Sequence, residues 1–435
     1  MLYQNLRKIV PSADSQPLSS FIQDLLRRKL LSCTHPEFPY KQQDISAYSS
    51  TLPNVLYAGV DPTADSLHIG NLLVLNSLIR ASFFGCSPIL LIGEATASVG
   101  DPSGHKRDRK LLLREFINEN SKALQKQVEK IKANVSSLYG EDISLQIRNN
   151  AEWYKEMRIL DFFKSTKRFR ISDMLKSGPI KSRLDDCETL SYAEFSYQTL
   201  QAIDWLKLYE ERGCLCQIGG TDQFGNLKAG FEHIRANTER LSIALCMPLL
   251  TDKYGRKLGK SSDQNGSNAP LWLDQLKTSA FAFYQHLRQL HDDAAEHFLV
   301  SFSLRKTTEV EDVLEEHRNN LGKWVAQIHL AEEMTAIVHG KAALERAKKC
   351  SKILFDGGSS SELENLNPDE ITEMFGSAST FEIDGINLMR AGALKINGTK
   401  ATDPEEKIEL ERILINGRFT IVCWGKRKFS LIKWS

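Results

Sequence analysis

The stretch Tyr57–Asn71, YAGVDPTADSLHIGN, constrains this chain more than any other. Val55 to Val60 are apolar enough for a buried strand, and Asp61-Pro62 must turn. From about Ser66 to Phe84 the apolar residues Ile69, Leu72, Leu73, Ile79 and Phe83 recur at helical spacing, with Gly85 placed to cap the end. A strand that feeds a helix through so short a turn presents amide N–H groups and the positive end of the helix dipole, which suits an anion. Thr63, His68 and Gly70 add donors and a close backbone approach. An ordinary turn carrying a surface histidine reads the same way in isolation, so the rest of the chain must decide.

The alternation continues. Residues 88–92 read as a strand, about 109–139 as a long helical region, 143–147 as a strand, and 191–212 as a helix leading into a strand at 214–218. Strands separated by helix-length crossovers predict an α/β, Rossmann-like parallel sheet with helices on both faces. Residues 271 to about 350 lose that rhythm and are rich in Leu, Glu, Lys, Arg and His, the composition of a helical domain. The run FDGGSSS at 355–361 is a linker, and a small terminal unit ends in the apolar runs 419–422 and 429–432. A chain of 435 residues is long for one core. The expected division is an N-terminal extension over 1–50, a catalytic domain over 51–270, a helical domain over 271–360 and a terminal unit over 376–435. The extension holds a short amphipathic helix near 21–31. Its first thirteen residues carry Arg7 and Lys8 and no acid, a short version of a mitochondrial transit peptide.

A net charge of +1 argues against a uniformly basic nucleic-acid binder but permits a local patch. No apolar run approaches membrane-spanning length. The eight cysteines, Cys33, Cys86, Cys187, Cys214, Cys216, Cys246, Cys350 and Cys423, form no C-x-x-C pair and read as free thiols rather than zinc ligands or disulfides.

Four further constellations carry chemistry. Tyr197, Gln201 and Asp204 at i, i+4, i+7 share one stripe of a largely apolar helix, which is either its solvent face or the lining of a pocket. If Asp204 is buried between Ile203 and Trp205, it needs donors, and a ligand is the expected source. QIGGTDQFGN at 217–226 follows a strand, so paired glycines can approach a ligand while Asp222 accepts from ribose hydroxyls. The loop DKYGRKLGKSS at 252–262 offers Lys257, Lys260 and Ser261 to phosphate; it is no P-loop, because Tyr254 stands where that motif needs glycine. GDPSGHKRDR at 100–109 joins Asp101 in a turn to the basic residues Lys106, Arg107 and Arg109. A G-x-G-x-x-G motif is absent, which counts against a dinucleotide dehydrogenase.

In this order the five pieces resemble the tyrosyl-tRNA synthetases, class I aminoacyl-tRNA synthetases, densely over about 52–262 and more loosely across the helical region. The likeness resumes at 392–404 and 424–434, which resemble the S4-type RNA-binding domain of the bacterial and organellar branch. The resemblance implies that Tyr57 and Asp204 hydrogen-bond the substrate phenol, that Asp101, Tyr197 and Gln201 hold its ammonium group, and that Gln223 lies near its carboxylate. It implies that Thr63 and His68 stabilise the ATP phosphates and that Lys257, Lys260 and Ser261 form the mobile signature loop. Gly59, Asp61, Gly70, Asn71, Gly220 and Asp222 would meet the nucleotide, with Lys106 and Arg109 closing on its phosphates. ATP is then a co-substrate with Mg2+, no zinc is involved, and the partners are L-tyrosine, tRNA(Tyr) and a second copy in a homodimer, in the mitochondrial matrix or alternatively the cytoplasm.

Three positions depart from the family pattern. Asn71 replaces the usual second histidine, His105 a frequent basic residue, and Phe224 the usual tryptophan. Toward the end of the chain, Arg418, Lys426, Arg427, Lys428 and Lys433 with Trp424, Phe429 and Trp434 and no acid form an electrostatic footprint with stacking surfaces for RNA; a protected basic edge strand is the plainer reading. The rivals are the related tryptophanyl-tRNA synthetase, against which Tyr57 and the Tyr197/Gln201/Asp204 stripe argue, and an RNA-binding or splicing cofactor on a synthetase scaffold.

Overall fold

A computed structural model describes residues 16–38, 42–103, 112–176, 178–186, 189–249, 260–262, 268–355, 394–397, 399–401, 415, 419–424 and 428–433. Its strands, among the described residues, are β1 (Cys33–His35), β2 (Val55–Val60), β3 (Ser87–Ile92), β4 (Gln146–Asn149), β5 (Cys216–Gly220), β6 (Ile243–Met247), β7 (Lys260–Ser262), β8 (Asn268–Pro270), β9 (Leu394–Ile396), β10 (Thr399–Lys400), β11 (Phe419–Trp424) and β12 (Lys428–Lys433). Up to β5 the helices are α1 (Pro17–Arg27), α2 (Gln42–Ser49), α3 (Ile69–Phe83), α4 (Glu94–Ala97), α5 (Arg114–Tyr139), α6 (Ala151–Tyr154), α7 (Ile159–Thr166), α8 (Ile171–Met174), α9 (Gly178–Asp185) and α10 (Tyr192–Arg212). Beyond β5 come α11 (Phe224–Thr238), α12 (Ala280–Arg288), α13 (Asp292–Phe302), α14 (Thr307–Asn319), α15 (Val325–His339) and α16 (Lys341–Phe355).

Contacts divide the chain into two compact units, 1–271 with 291–326 and 272–290 with 327–435. The run 271–360 is therefore shared between them: α13 and α14 belong to the first unit, and α12, α15 and α16 to the second.

The first unit is built on a six-stranded sheet of order β1-β6-β5-β2-β3-β4. Five strands are parallel and β1 is antiparallel to β6, so the sheet is mixed rather than purely parallel. From β2 the chain steps to β3 and β4 in one direction, whereas β5 steps to β6 in the other. Right-handed crossovers then put the connecting helices on opposite faces. Leu56, Ala58, Leu90, Ile218 and Leu245 on one face and Tyr57, Ile89, Leu91, Ala244 and Cys246 on the other are all buried, as a sheet covered on both faces requires.

Residues 17–49 are not an extension. Pro17 starts α1, whose residues Leu18, Phe21, Ile22 and Leu25 form a helical stripe with no exposure, and β1 supplies an edge to the sheet. The charges on α1 are also spent inside: Arg28 donates to Asp24 at 2.8 Å and to the carbonyls of Val300 and Ser303, while Arg80 of α3 donates to those of Ser301 and Ser303. Two guanidinium groups thus satisfy the orphan carbonyls at the end of α13, where the helix dipole favours cations. Residues 1–15, with the proposed targeting segment, lie outside the described residues.

Helix α10 carries its signals locally. Ser191 accepts from the Glu194 amide at the N-terminus and Gly213, at φ 69°, caps the other end. It packs on α11 so closely that a Cβ at Gly230 would lie 2.6 Å from the Trp205 ring. In the second unit, the described residues include a four-stranded antiparallel sheet of order β10-β9-β11-β12, in which Phe419 to Trp424 pair with Lys433 to Lys428.

Candidate active site

Because the strand order reverses between β2 and β5, their carboxyl ends open a crevice, the place where open α/β sheets bind ligands. Motif residues from both sides of the reversal collect there. Gly59 and Asp61 leave β2, Asp101 follows β3 and α4, and Gly220, Asp222 and Gln223 leave β5.

On one side the site is buried. Tyr57 is 1% exposed, its ring lies edge-on to Trp205 with centroids 6.1 Å apart, and its hydroxyl makes no hydrogen bond among the described residues. Burial first, then the nearby charge of Asp204, holds the phenol's pKa well above its ordinary value, so the group is a neutral donor and acceptor.

Asp204 is 2% exposed, so the polar stripe of α10 lines a pocket rather than facing solvent. The donors that the sequence reading expected from a ligand come from the protein: Asn150 Nδ2 at 3.1 Å and Trp153 Nε1 at 2.9 Å. Tyr154, whose hydroxyl donates to the Leu200 carbonyl at 2.9 Å, also lies within reach of the carboxylate. Desolvation outweighs these bonds and lifts the Asp204 pKa to about 7. Asn150, Trp153 and Tyr154 follow directly on β4, at the carboxyl end of a strand in the same sheet.

A second carboxylate orders the middle of the crevice. The Tyr197 hydroxyl donates to Asp61 Oδ2 at 2.8 Å, and the Thr96 hydroxyl to Asp61 Oδ1 at 2.7 Å. Asp61 therefore meets Tyr197 directly, and its expected role toward the nucleotide starts from an oxygen pair already in use. Gly93 is required here, because a Cβ would collide with the Asp61 carboxylate and the Thr96 hydroxyl. Burial first, then the charges of Asp61, Asp101 and Asp204, hold the Tyr197 pKa well above normal. Gln223 donates to Asp101 Oδ2 at 2.6 Å and accepts from Asn226 Nδ2 at 2.9 Å, which fixes the direction of its amide. The Ser103 amide donates to the other Asp101 oxygen at 2.9 Å. Gln201 is half-buried on the same helix face as Tyr197 and Asp204.

The other side of the crevice is open. Thr63 is exposed and His68 half-buried. His68 caps α3: its Nδ1 accepts from the amides of Gly70 at 3.1 Å and Asn71 at 3.3 Å, while Asn71 Oδ1 accepts from the His68 amide at 3.1 Å. Two of the helix N–H groups expected to face an anion are therefore taken by the imidazole. An accepting Nδ1 places the proton of the neutral ring on Nε2, and burial lowers the His68 pKa in the same sense. Asn71 thus replaces the usual histidine with a capping-box residue. Asp222 is exposed beside Gly220.

Lys260 and Ser261 lie in β7, paired with Pro270 and Ala269 of β8. Lys106, Arg109, Lys257, Arg418, Lys426 and Arg427 lie outside the described residues; Lys428 and Lys433 sit at the two ends of β12. The described cysteines are free, and Cys86 and Cys214 are buried thiols pushed up to about 12.

Set against known proteins, residues 49–356 match the family model for class I tRNA synthetases (W and Y). The chain is 34% identical over 408 residues to the mitochondrial tyrosine–tRNA ligase of Rattus norvegicus, covering 88% of this chain and 85% of that one. To the tyrosine–tRNA ligase of Oceanobacillus iheyensis it is 36% identical over 405 residues, covering 87% and 91%. A C-terminally truncated mitochondrial tyrosyl-tRNA synthetase of Aspergillus nidulans superposes with a TM-score of 0.68 at 28% identity, covering 77% of this chain and 94% of that one. Family model, relatives and a crevice at the reversal of the sheet agree: the chain belongs to the class I aminoacyl-tRNA synthetases and, within them, to the tyrosyl-tRNA synthetases.

Proposed function

We propose that this chain activates L-tyrosine with ATP and passes the tyrosyl group to the 3′ end of tRNA(Tyr). The observation that carries this is a buried recognition pair, the Tyr57 hydroxyl without a partner among the described residues and the Asp204 carboxylate near it. A substrate phenol donates to Asp204 and meets Tyr57. Phenylalanine would leave both groups buried without that partner, a logic established for tyrosyl enzymes as a class. Asp101, Tyr197 and Gln201 offer the negative and polar groups that an ammonium needs, and Gln223, aimed by Asp101 and Asn226, stands beside the carboxylate.

In the reaction the tyrosine carboxylate attacks the α-phosphorus of ATP, the bond to the bridging oxygen breaks, and pyrophosphate leaves. The protein supplies alignment and charge neutralisation rather than a nucleophile. Thr63 and the Nε2–H of His68 serve the phosphates, and Lys106, Arg109, Lys257, Lys260 and Ser261 are the further residues assigned to them from the family pattern. Gly59, Gly70, Asn71, Gly220 and Asp222 border the nucleotide. Mg2+ enters as the counter-ion of ATP, whose phosphate oxygens are its preferred ligands. In the second step a ribose hydroxyl at the tRNA 3′ end attacks the adenylate carbonyl, the acyl C–O bond of the anhydride breaks, the hydroxyl proton is lost, and AMP leaves.

The chain works in mitochondria, as the names of several relatives at 33–35% identity suggest. It acts as a homodimer, supported by large apolar side chains left exposed in one part of the first unit: Ile159, Leu160, Phe163, Ile171, Leu184 and Tyr192. Residues 376–435 form an S4-like RNA-binding domain, for which the four-stranded sheet and the basic residues 418–433 are the support. The test is aminoacylation of tRNA(Tyr) with labelled tyrosine by the purified chain. Removing 376–435 is expected to lower aminoacylation far more than tyrosine-dependent pyrophosphate exchange; equal loss in both contradicts this division of labour.

A further inference from the structure

Helix α5 sends two amides into the turn that carries the phosphate-facing residues. Asn120 Nδ2 donates to the Pro62 carbonyl at 3.1 Å. Seven residues on, about 10.5 Å along the helix and on the same face, Gln127 Oε1 accepts from the Leu67 amide at 2.8 Å while its Nε2 donates to the Ser66 hydroxyl at 3.3 Å. The Ser66 hydroxyl in turn donates to the Leu67 carbonyl at 2.7 Å. Both amides flank the stripe Ile117, Leu124, Val128 and Ile131 that buries α5, so the helix cannot rotate without moving them. Segment 62–67 is thus held at both ends from a helix distant in sequence, and what it holds between and beyond those ends is Thr63 and His68.

We infer that Gln127, assisted by Asn120, is a positioning residue for tyrosine activation: it sets the place and direction of the turn, so that Thr63 and the His68 Nε2–H meet the phosphates as charge develops on the departing pyrophosphate. This rests on the reading of that turn as the phosphate site. Neither amide belongs to a signature motif, and neither hydrogen-bonds to the tyrosine-side residues Tyr57, Asp204, Asn150 and Trp153. An interaction that only aligns charge stabilisation in the transition state lowers kcat without altering ground-state binding of the amino acid. Displacement of such a group by about 1 Å can cost roughly 100-fold in rate.

The experiment measures single-turnover tyrosyl-adenylate formation and, separately, tyrosine binding at equilibrium, in the full-length protein. Gln127→Met keeps the length and the apolar packing of the side chain and removes its acceptor. The expected result is a fall in the maximal rate of about 30- to 100-fold, with tyrosine affinity within about threefold and a melting temperature within a few degrees of the parent. Gln127→Glu retains an acceptor for the Leu67 amide and is expected to restore most of the rate. His68→Ala, made in both backgrounds, is expected to cost much less when Gln127 is already Met, because the two act through one contact.

An unchanged rate in Gln127→Met with a large loss in His68→Ala would overturn this inference and leave the phosphate site standing. An unchanged rate in His68→Ala would instead remove the reading on which the inference depends. A parallel fall of rate, tyrosine affinity and melting temperature would make Gln127 a structural tether only. Should Gln127→Met not fold, Asn120→Ala and Gln127→Glu carry the test: a slower rate at unchanged tyrosine affinity in the first, with near-parental behaviour in the second, supports the positioning role, and the absence of that split overturns it.

Discussion

The two sides of the crevice are built on opposite principles. Around Asp204 the protein has made its commitments in advance. The carboxylate is buried, two neighbours from β4's carboxyl end donate to it, and one hydroxyl, that of Tyr57, is left for something else to satisfy. Around His68 the side chains are half-buried or exposed: the fixed bonds hold the backbone turn and the Nδ1 edge of the His68 imidazole, while Thr63 stays exposed. The difference follows from the two tasks. Telling a phenol from a phenyl ring requires that an unpaired polar group be costly, which only a desolvated site provides. Neutralising phosphate charge requires donors aimed at a group that must enter and leave.

Four substitutions or conditions sharpen or break that contrast. The largest effect belongs to Asp204→Ala, which removes the acceptor of the phenol and leaves Trp153 Nε1 without its acceptor, while Asn150 keeps its bond to Thr96; tyrosine-dependent pyrophosphate exchange is expected to fall beyond detection. A mutant retaining parental exchange would mean the buried side is not the amino-acid site. Next is His68→Ala, expected to lower the activation rate by about 100- to 1000-fold, or ~3–4 kcal/mol of transition-state stabilisation, with tyrosine binding unchanged. If tyrosine affinity fell instead, the division between the two sides would fail.

Smaller again is Trp153→Phe, which keeps the aromatic packing and deletes one bond to a charged group. A loss of about 1.5–3 kcal/mol in tyrosine binding is expected, read as a raised tyrosine KM at nearly constant ATP KM. The smallest effect is that of pH. Burial holds the Asp204 pKa at about 7 in the free protein, and a phenol donating to it favours the ionised form. Tyrosine binding therefore expels a proton below that pH, and the affinity falls by up to about tenfold per unit of acidification. Calorimetry in two buffers of different ionisation enthalpy at pH 6 measures the proton, and Asp204→Asn is expected to abolish it. The same shift has a stability sign: the folded chain holds this proton more tightly than the unfolded one. Its contribution is thus complete below the ordinary carboxylate range and is lost as pH rises through about 7.

The sheet and the gathering of its motifs at one crevice were legible because they depend on short-range rules. A strand followed by a turn and a capped helix is written in consecutive residues, as at 55–83, and the i, i+4, i+7 stripe of Tyr197, Gln201 and Asp204 announces a shared face. What supports those residues was not legible. Trp153 lies 51 residues from Asp204 and Thr96 lies 35 from Asp61, and no periodicity joins them. The one available signal was position, since Asn150 and Trp153 follow immediately on a strand of the same sheet. Strand β1 is three residues long, too short for an alternating pattern, so its incorporation at the sheet edge depended on pairing with Cys246, Leu245 and Ala244. The place of Asn71 in the motif was visible, whereas its bond to the His68 amide was not.

The claim at the centre of this account is that a buried hydroxyl and carboxylate pair select the substrate before any phosphate chemistry begins. Amino-acid-dependent pyrophosphate exchange by the purified protein, run with tyrosine, phenylalanine and tryptophan at matched concentrations, tests it most directly. The account predicts robust exchange with tyrosine and background exchange with the other two. Exchange with phenylalanine approaching that with tyrosine would contradict it.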